Sequence, residues 1–202
     1  MSSISTLGFR LLPQHLSPDT QARLLAEVVA RIKVAPLYRP ITPGGKPMSV
    51  TMTNFGPLGW CTDARGYRYQ ATHPMTGEAW PDIPQILLDL WRQLADPETL
   101  PDACLVNVYD AMAKMGLHQD RDEADLSQPV LSVSLGDTAI FRIGGHTQTD
   151  PTRSVRLTSG DVCVLAGADR MAFHGIDRVV AASSRLIPGG GRINLTLRKA
   201  GT

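Results

Sequence analysis

PVLSVSLGDTAIFRI, Pro129 to Ile143, is the stretch that decides the fold class. Its two runs, PVLSVSL and TAIFRI, are short and rich in Val, Ile and Leu, and the Gly136-Asp137 pair between them is a turn signal. Similar runs lie on either side: CLVNVY from Cys104, RSVRLT from Arg153, DVCVLA from Asp161 and RINLTLR from Arg192, separated by Gly-Asp, Gly-Gly or Ser-Gly turns. Upstream the pattern changes. LSPDTQARLLAEVVARI predicts a helix that starts at Ser17 with Pro18 behind it and turns Leu24, Leu25, Val28, Val29 and Ile32 to one face. PQILLDLWRQLAD predicts a second, with Leu87, Leu90, Trp91 and Leu94 at helical spacing before Pro97 closes it. Between them, Ala35 to Pro81 reads as loops and short ribbons rich in Pro, Gly, Thr and aromatic residues. Two helices ahead of many short strands predict a mainly β, α+β fold: a sandwich or barrel-like core buttressed by helices.

The chain has 202 residues, 43% of them hydrophobic and 19% charged, and its 20 Lys plus Arg nearly cancel 19 Asp plus Glu. One well-cored domain over 1–202 is expected. The charge balance gives no global field for a polyanion, so any nucleic-acid contact needs local basic positions. Cys61, Cys104 and Cys163 are odd in number, far apart and without a C-x-x-C spacing, which argues against a disulfide framework or a zinc knuckle and fits a reducing cytosol. MSSISTLGFRLLPQHL lacks the basic start and apolar run of a signal peptide, and no stretch reaches the roughly 18 apolar residues of a membrane span, so a cytoplasmic protein without a membrane partner is expected.

The chemistry concentrates in LHQDRDEADL, Leu117 to Leu126. Residues i and i+2 of an extended segment project to one side, so His118 and Asp120 can face one ion while Gln119 points away. RMAFHGID offers His174 as a third donor, a short loop after DVCVLA. Two histidines and a carboxylate form one face of an octahedron and leave positions open for a co-substrate and oxygen, as in non-haem Fe(II) oxygenases. Plainer readings exist: H-x-D as a surface pair, and His174 beside Phe173 as a hydrogen-bonded core residue. These three residues alone leave the choice open. RINLTLRK adds weight, because Arg192, Asn194, Thr196 and Arg198 share one side while Ile193, Leu195 and Leu197 share the other. A solvated polar face is the usual meaning of such alternation, but Arg and Asn suit a grip on carboxylates better than plain solvation. In LVNVY, Leu105, Asn107 and Tyr109 share a side against Val106 and Val108. An amide and a phenol beside two guanidiniums make a pocket for a small dicarboxylate.

With these blocks in view, the sequence closely resembles the bacterial AlkB family of Fe(II)- and 2-oxoglutarate-dependent nucleic-acid dealkylases. The resemblance rests on MTNFGPLGW, PDACLVNVYD, LHQDRDEADL, SVSLGDTAIF, FHGI and RINLTLRKAG and runs from about Met48 to Gly201. It implies a double-stranded β-helix (jelly-roll) core over 101–202, with helices and a nucleotide-recognition lid over 1–100. It implies His118, Asp120 and His174 as catalytic iron ligands, and Asn107, Tyr109, Arg192, Asn194 and Arg198 as residues that bind 2-oxoglutarate. Arg192 would take the distal carboxylate and Arg198 the end that chelates iron. Trp60, Tyr67 and Asp122 match positions that touch the substrate base. Two positions depart from the family pattern: Leu165 where an aromatic residue is common, and Gln148 at a basic substrate-side position. Both bear on substrate preference.

The implied reaction uses Fe(II), 2-oxoglutarate and O2 to dealkylate 1-methyladenine and 3-methylcytosine in single-stranded DNA, with duplex DNA and RNA as further candidates, and releases formaldehyde, succinate and CO2. A monomer is expected. The suspected bases are cationic, so an aromatic face at Trp60 and a carboxylate at Asp122 would favour them over undamaged bases. WCTDARGYRY interleaves Arg65 and Arg68 with Trp60, Tyr67 and Tyr69, which fits a groove for a single strand as well as a loop covered by amphipathic side chains. Glu123 and Asp125 read as solvated loop charges. The alternatives are an oxygenase of the same fold acting on protein or a small metabolite, a zinc hydrolase, which leaves Arg192, Asn194 and Arg198 without a task, and a non-catalytic nucleic-acid-binding module.

Overall fold

Both faces of the strand RINLTLR are buried, and its alternation sorts them. The computed structural model describes residues 4–6, 8–96 and 98–201. Ile193, Leu195 and Leu197 point into a core made with the two helices, α1 (Pro18–Val34) and α2 (Gln85–Leu94), whose Leu24, Val28, Leu87, Leu90 and Trp91 are buried against them. Arg192, Asn194, Thr196 and Arg198 line a cavity on the opposite side.

The strands form two antiparallel sheets and a ribbon. The large sheet has the order β1-β2-β11-β8-β13-β6-β3, with β1 at Ile4–Thr6, β2 at Phe9–Leu12, β3 at Thr51–Phe55, β6 at Ala103–Tyr109, β8 at Val130–Gly136, β11 at Val162–Leu165 and β13 at Arg192–Arg198. The small sheet has the order β10-β9-β12-β7, with β7 at Met115–His118, β9 at Thr138–Ile143, β10 at Arg153–Leu157 and β12 at His174–Val180. A two-stranded ribbon, β4 (Gly59–Asp63) and β5 (Gly66–Gln70), stands beside them. The inner faces meet in a second core, where Leu105, Tyr109, Val130 and Cys163 of the large sheet pack with Ala139, Phe141, Ile143 and Ile176 of the small one. Two facing antiparallel sheets of this kind are the double-stranded β-helix expected from the motifs. The large sheet draws on both halves of the chain, because β1, β2 and β3 precede residue 100.

Ser17 caps α1 as its sequence predicts: the side chain accepts the Thr20 N–H at 3.2 Å and Pro18 opens the first turn. Of the expected apolar face, Val29 is 45% exposed, so the buried stripe is narrower than the sequence suggests. Pro97, expected to close α2, lies outside the described residues; α2 itself ends at Leu94. All six strand-like runs after Cys104 are strands. β7 and β12 have no such signal, since Gly116 interrupts one and Asp177-Arg178 the other, and β12 carries irregular register at two points.

The Gly136-Asp137 turn carries the chain from the large sheet to the small one. Gly136 has φ +85°, and a Cβ there would come within 2.4 Å of the Gly191 carbonyl oxygen. The buried Asp137 carboxylate accepts N–H groups from Ser184 at 2.9 Å, Gly191 at 2.9 Å and Ala182 at 3.3 Å, and so fixes the loop that leads into β13. Burial opposes its charge, but those N–H groups outweigh burial and hold the carboxyl below its usual range. Asp137→Ala leaves them unpaired, at a cost of about 1–3 kcal/mol by urea unfolding at pH 7. A carboxyl whose folded pKa is depressed stabilises above its unfolded pKa, so the difference between the two proteins should shrink as pH falls below about 4.

Candidate active site and metal centre

β7 ends at His118 and β12 begins at His174, and the two histidines are direct partners across the small sheet. Asp120 follows two residues after His118. Its carboxylate lies 3.9 Å from His118 Nε2 and 3.7 Å from His174 Nε2. One ligand atom from each residue falls within 4.8 Å of the others, and among the described residues this is the one cluster of its kind. Each imidazole is turned by its other nitrogen: His118 Nδ1 meets the Gly116 carbonyl and His174 Nδ1 the Ala172 carbonyl, both at 2.9 Å. With Nδ1 as donor, each Nε2 presents a lone pair to the shared point. Burial lowers the His174 pKa to about 4, which keeps that ring neutral and able to ligate at pH 7.

Asp120 is buried, which alone would raise its pKa; Arg198, and after it His174 and His118, reverse that and hold the carboxyl well below its usual range. Arg198 Nη2 donates to Asp120 Oδ1 at 2.8 Å, and Arg198 Nε lies 3.2 Å from Glu123 Oε1. Glu123 also accepts from Arg170 at 3.0 Å and from the Tyr69 hydroxyl at 2.6 Å. Its expected role as a solvated loop charge is therefore incorrect. Glu123 is 8% exposed, and two buried guanidiniums supply the counter-charge that permits this. The sequence carried no signal for it, because Arg170 comes from a distant loop, where its Nη1 also donates to the Asp120 carbonyl at 2.6 Å. Asp125, by contrast, sits at the surface and turns its own loop by accepting from Ser127.

Behind the triad, β6, β13 and β8 build a polar floor. Arg192 is 0% exposed and opposite Tyr109 in register, yet it makes a single side-chain hydrogen bond, Nη2 to Ser134 Oγ at 2.9 Å. Among the described residues its Nε and Nη1 have no hydrogen-bond partner, and neither does Asn107 Oδ1. Unpaired buried donors on a permanent cation are costly unless an anion meets them. Arg198 Nη1 is likewise unpartnered. Asn194 is occupied within the sheet: it donates to Ser132 Oγ at 2.7 Å and accepts from Thr196 Oγ1 at 2.9 Å.

The ribbon closes the other side. Trp60 of β4 and Tyr67 of β5 stack with centroids 5.6 Å apart and planes 20° off parallel, and the Trp60 indole N–H donates to Asp122 Oδ2 at 2.7 Å. All three residues line one cavity with the triad, Arg192 and Arg198, its volume about 530 Å³. Leu165 and Gln148 line it too. Arg65 and Arg68 do not form a free basic groove: both guanidiniums clamp Asp63, each at 2.8 Å, which cancels part of their charge.

A family model described as the 2OG-Fe(II) oxygenase superfamily matches residues 8–198. An alpha-ketoglutarate-dependent dioxygenase AlkB homolog from Caulobacter vibrioides is 61% identical over 195 residues, covering 96% of this chain and 89% of the relative. The chain belongs to the AlkB family. The Escherichia coli AlkB dioxygenase is 45% identical over 171 residues, covering 83% of this chain and 79% of its own. A solved structure of OsALKBH1 superposes with TM-score 0.78 at 32% identity and covers 96% of this chain and 98% of that one. An AlkB-type enzyme uses Fe(II) and 2-oxoglutarate, and the residues present fit both: two imidazoles and a carboxylate for the metal, and a buried guanidinium with unpartnered donors for a dicarboxylate. Losing the Arg192 contact should therefore be selective. Arg192→Met should weaken 2-oxoglutarate binding about ten- to a hundredfold, as expected for charged hydrogen bonds, while Mn(II) binding measured by calorimetry stays. His174→Ala should lose the metal itself.

Proposed function

We propose that this AlkB-type dioxygenase repairs 1-methyladenine and 3-methylcytosine in single-stranded DNA, with His118, Asp120 and His174 holding Fe(II). Arg192 would grip the distal carboxylate of 2-oxoglutarate, with Asn107 and Tyr109 beside it, Arg198 towards the end that meets the metal, and Asn194 shaping the floor. Bound together, Fe(II), 2-oxoglutarate and O2 supply the oxidation that hydroxylates an N-alkyl carbon, after which formaldehyde leaves and succinate and CO2 remain.

The observation that carries the substrate assignment is the Trp60–Asp122 pair at the mouth of the metal cavity. An aromatic face and a carboxylate attract a cationic ring more than a neutral one, and methylation at the pairing edge of these bases leaves them cationic. The same methylation weakens the base pair, so extrusion costs less than the usual few kcal/mol. Trp60 already stacks on Tyr67, so a base entering the mouth exchanges one aromatic contact for another. Asp120 stays ionised beside Arg198, whose second neighbour Glu123 is held by Tyr69 and Arg170. The apolar wall at Leu165, Phe141 and Cys163 shapes the rest of the cavity.

Cys61, Cys104 and Cys163 are free and buried, which supports a reducing cytoplasm, and no helix among the described residues is long and apolar enough to cross a membrane. We assign the chain as a single catalytic domain that acts as a monomer.

The assignment is tested by mass spectrometry of a single-stranded oligonucleotide with one 3-methylcytosine, incubated with protein, Fe(II), 2-oxoglutarate and air. Loss of the methyl group is expected with the wild type and not with His118→Ala. Succinate formed without methyl loss would instead support an oxygenase for protein or a small metabolite. Trp60→Ala/Tyr67→Ala should cut demethylation at least tenfold and leave Mn(II) and 2-oxoglutarate binding within twofold, since neither side chain belongs to the metal cluster or hydrogen-bonds Arg192 or Arg198 among the described residues.

A further inference from the structure

The inner residues of the small sheet are consumed by the core and the metal cavity, but its outer face carries arginines that neither uses. Ala139, Phe141 and Ile143 of β9 point inward, so Ile140 and Arg142 point outward. Ile140 is flanked in register by Arg156 of β10 on one side and Arg178 of β12 on the other. Arg142 stands two residues nearer the cavity rim, with Nε and Nη2 on Thr152 Oγ1 at 3.1 and 2.6 Å. Arg156 is exposed and makes no ion pair among the described residues. Arg178 is exposed and, among the described residues, pairs with its neighbour Asp177 at 3.0 Å, the one acidic residue in the four strands of this sheet. The face thus holds three guanidiniums against one carboxylate in a protein whose overall charge is +1.

Its position is continuous with the cavity. His118, His174 and Ile143 form one cross-strand row at the rim, and the Arg156–Ile140–Arg178 row lies three residues further down. At strand spacing this is about 10 Å, within reach of a polymer entering the mouth when the length of an arginine side chain is added. On the ribbon side Arg65 and Arg68 share Asp63, and Gln148 at the mouth is neutral; Arg121 is the further exposed cation at the cavity.

We propose that Arg142, Arg156 and Arg178 bind the phosphate backbone of the nucleic-acid substrate beyond the damaged nucleotide. This rests on the nucleic-acid reading above and adds where the rest of the strand lies. Guanidiniums suit phosphate oxygens, and the one carboxylate beside them, Asp177, is already engaged by Arg178, so the contact is independent of sequence. It serves long substrates and is irrelevant to a lesion carried on a trinucleotide.

The test compares the wild type with Arg156→Ser/Arg178→Ser and Arg156→Lys/Arg178→Lys. Fluorescence anisotropy reads binding of a labelled single-stranded 15-mer with one 3-methylcytosine at several salt concentrations, and mass spectrometry reads turnover of a trinucleotide with the same lesion. The serine variant should show a log Kd against log salt slope smaller by about 0.7 to 1.4, at about 0.7 per phosphate lost from a single strand, with trinucleotide turnover unchanged. The lysine variant should keep the wild-type slope. Equal slopes for wild type and serine variant, in a protein that repairs the trinucleotide, overturn the backbone contact and leave the repair function standing. A lysine variant as weakened as the serine one also overturns it, because the loss is then not one of charge. If the wild type neither binds the 15-mer nor repairs the trinucleotide, the nucleic-acid reading falls and takes this surface with it.

Discussion

Asp120 is a buried carboxylate that keeps its charge because Arg198 touches it. The rest of the site follows from that contact. Without the guanidinium, burial would favour the neutral acid, and a neutral acid is a poor ligand for a divalent metal. Arg198 in turn needs more than one counter-charge to be tolerated in the interior, and Glu123, 3.2 Å away, provides a second. Glu123 is held by Arg170 and Tyr69, which come from the loop before β12 and from the ribbon. One ionised oxygen therefore ties together the strand that carries Arg198, the loop that precedes His174 and the ribbon that bears Trp60.

This arrangement places stability and function on opposite faces of β13. Ile193, Leu195 and Leu197 bury hydrocarbon against α1 and α2, and the helices have little role in chemistry beyond that. The polar face is left with buried donors that the fold does not satisfy, chiefly on Arg192. Unpaired buried groups reduce stability, and a site that meets them with a ligand converts that cost into affinity. The ribbon belongs to both: Asn54 and the Trp60 backbone exchange two hydrogen bonds at 3.0 Å and Tyr69 donates to Glu123, while Trp60 and Tyr67 stack on each other at the mouth.

The sequence was most legible where one periodicity served one face. The alternation of RINLTLR and LVNVY correctly separated cavity from core, and H-x-D with a distant histidine located three residues that the fold brings together. Glu123 was not legible, because burial of a charge depends on partners far away in sequence, and the acidic run around it looks like solvent-facing loop. Arg65 and Arg68 misled for a related reason: their spacing among aromatic residues is visible, but the clamp on Asp63 exists only once the ribbon has folded. β7 and β12 escaped notice because a short strand broken by glycine or by adjacent charges carries too little pattern, although both metal-facing histidines sit on them.

The Gly136-Asp137 crossover bears on how the molecule is assembled. β8 and β9 are neighbours in sequence but partners in different sheets, and β13, thirteenth in order along the chain, sits between β8 and β6 in the middle of the large sheet. Local hairpins cannot build such a core piece by piece. The pairing of Arg198 with Ala103 closes a loop of most of the second half of the chain, and contacts of that span make folding slow. During synthesis the large sheet stays open at its centre until residues 192–198 emerge, and the ionised pair that prepares Asp120 for metal forms only then. The counter-charge for Asp120 thus arrives with β13, after all three residues of the triad have been made, so carboxylate and guanidinium meet only when the large sheet closes.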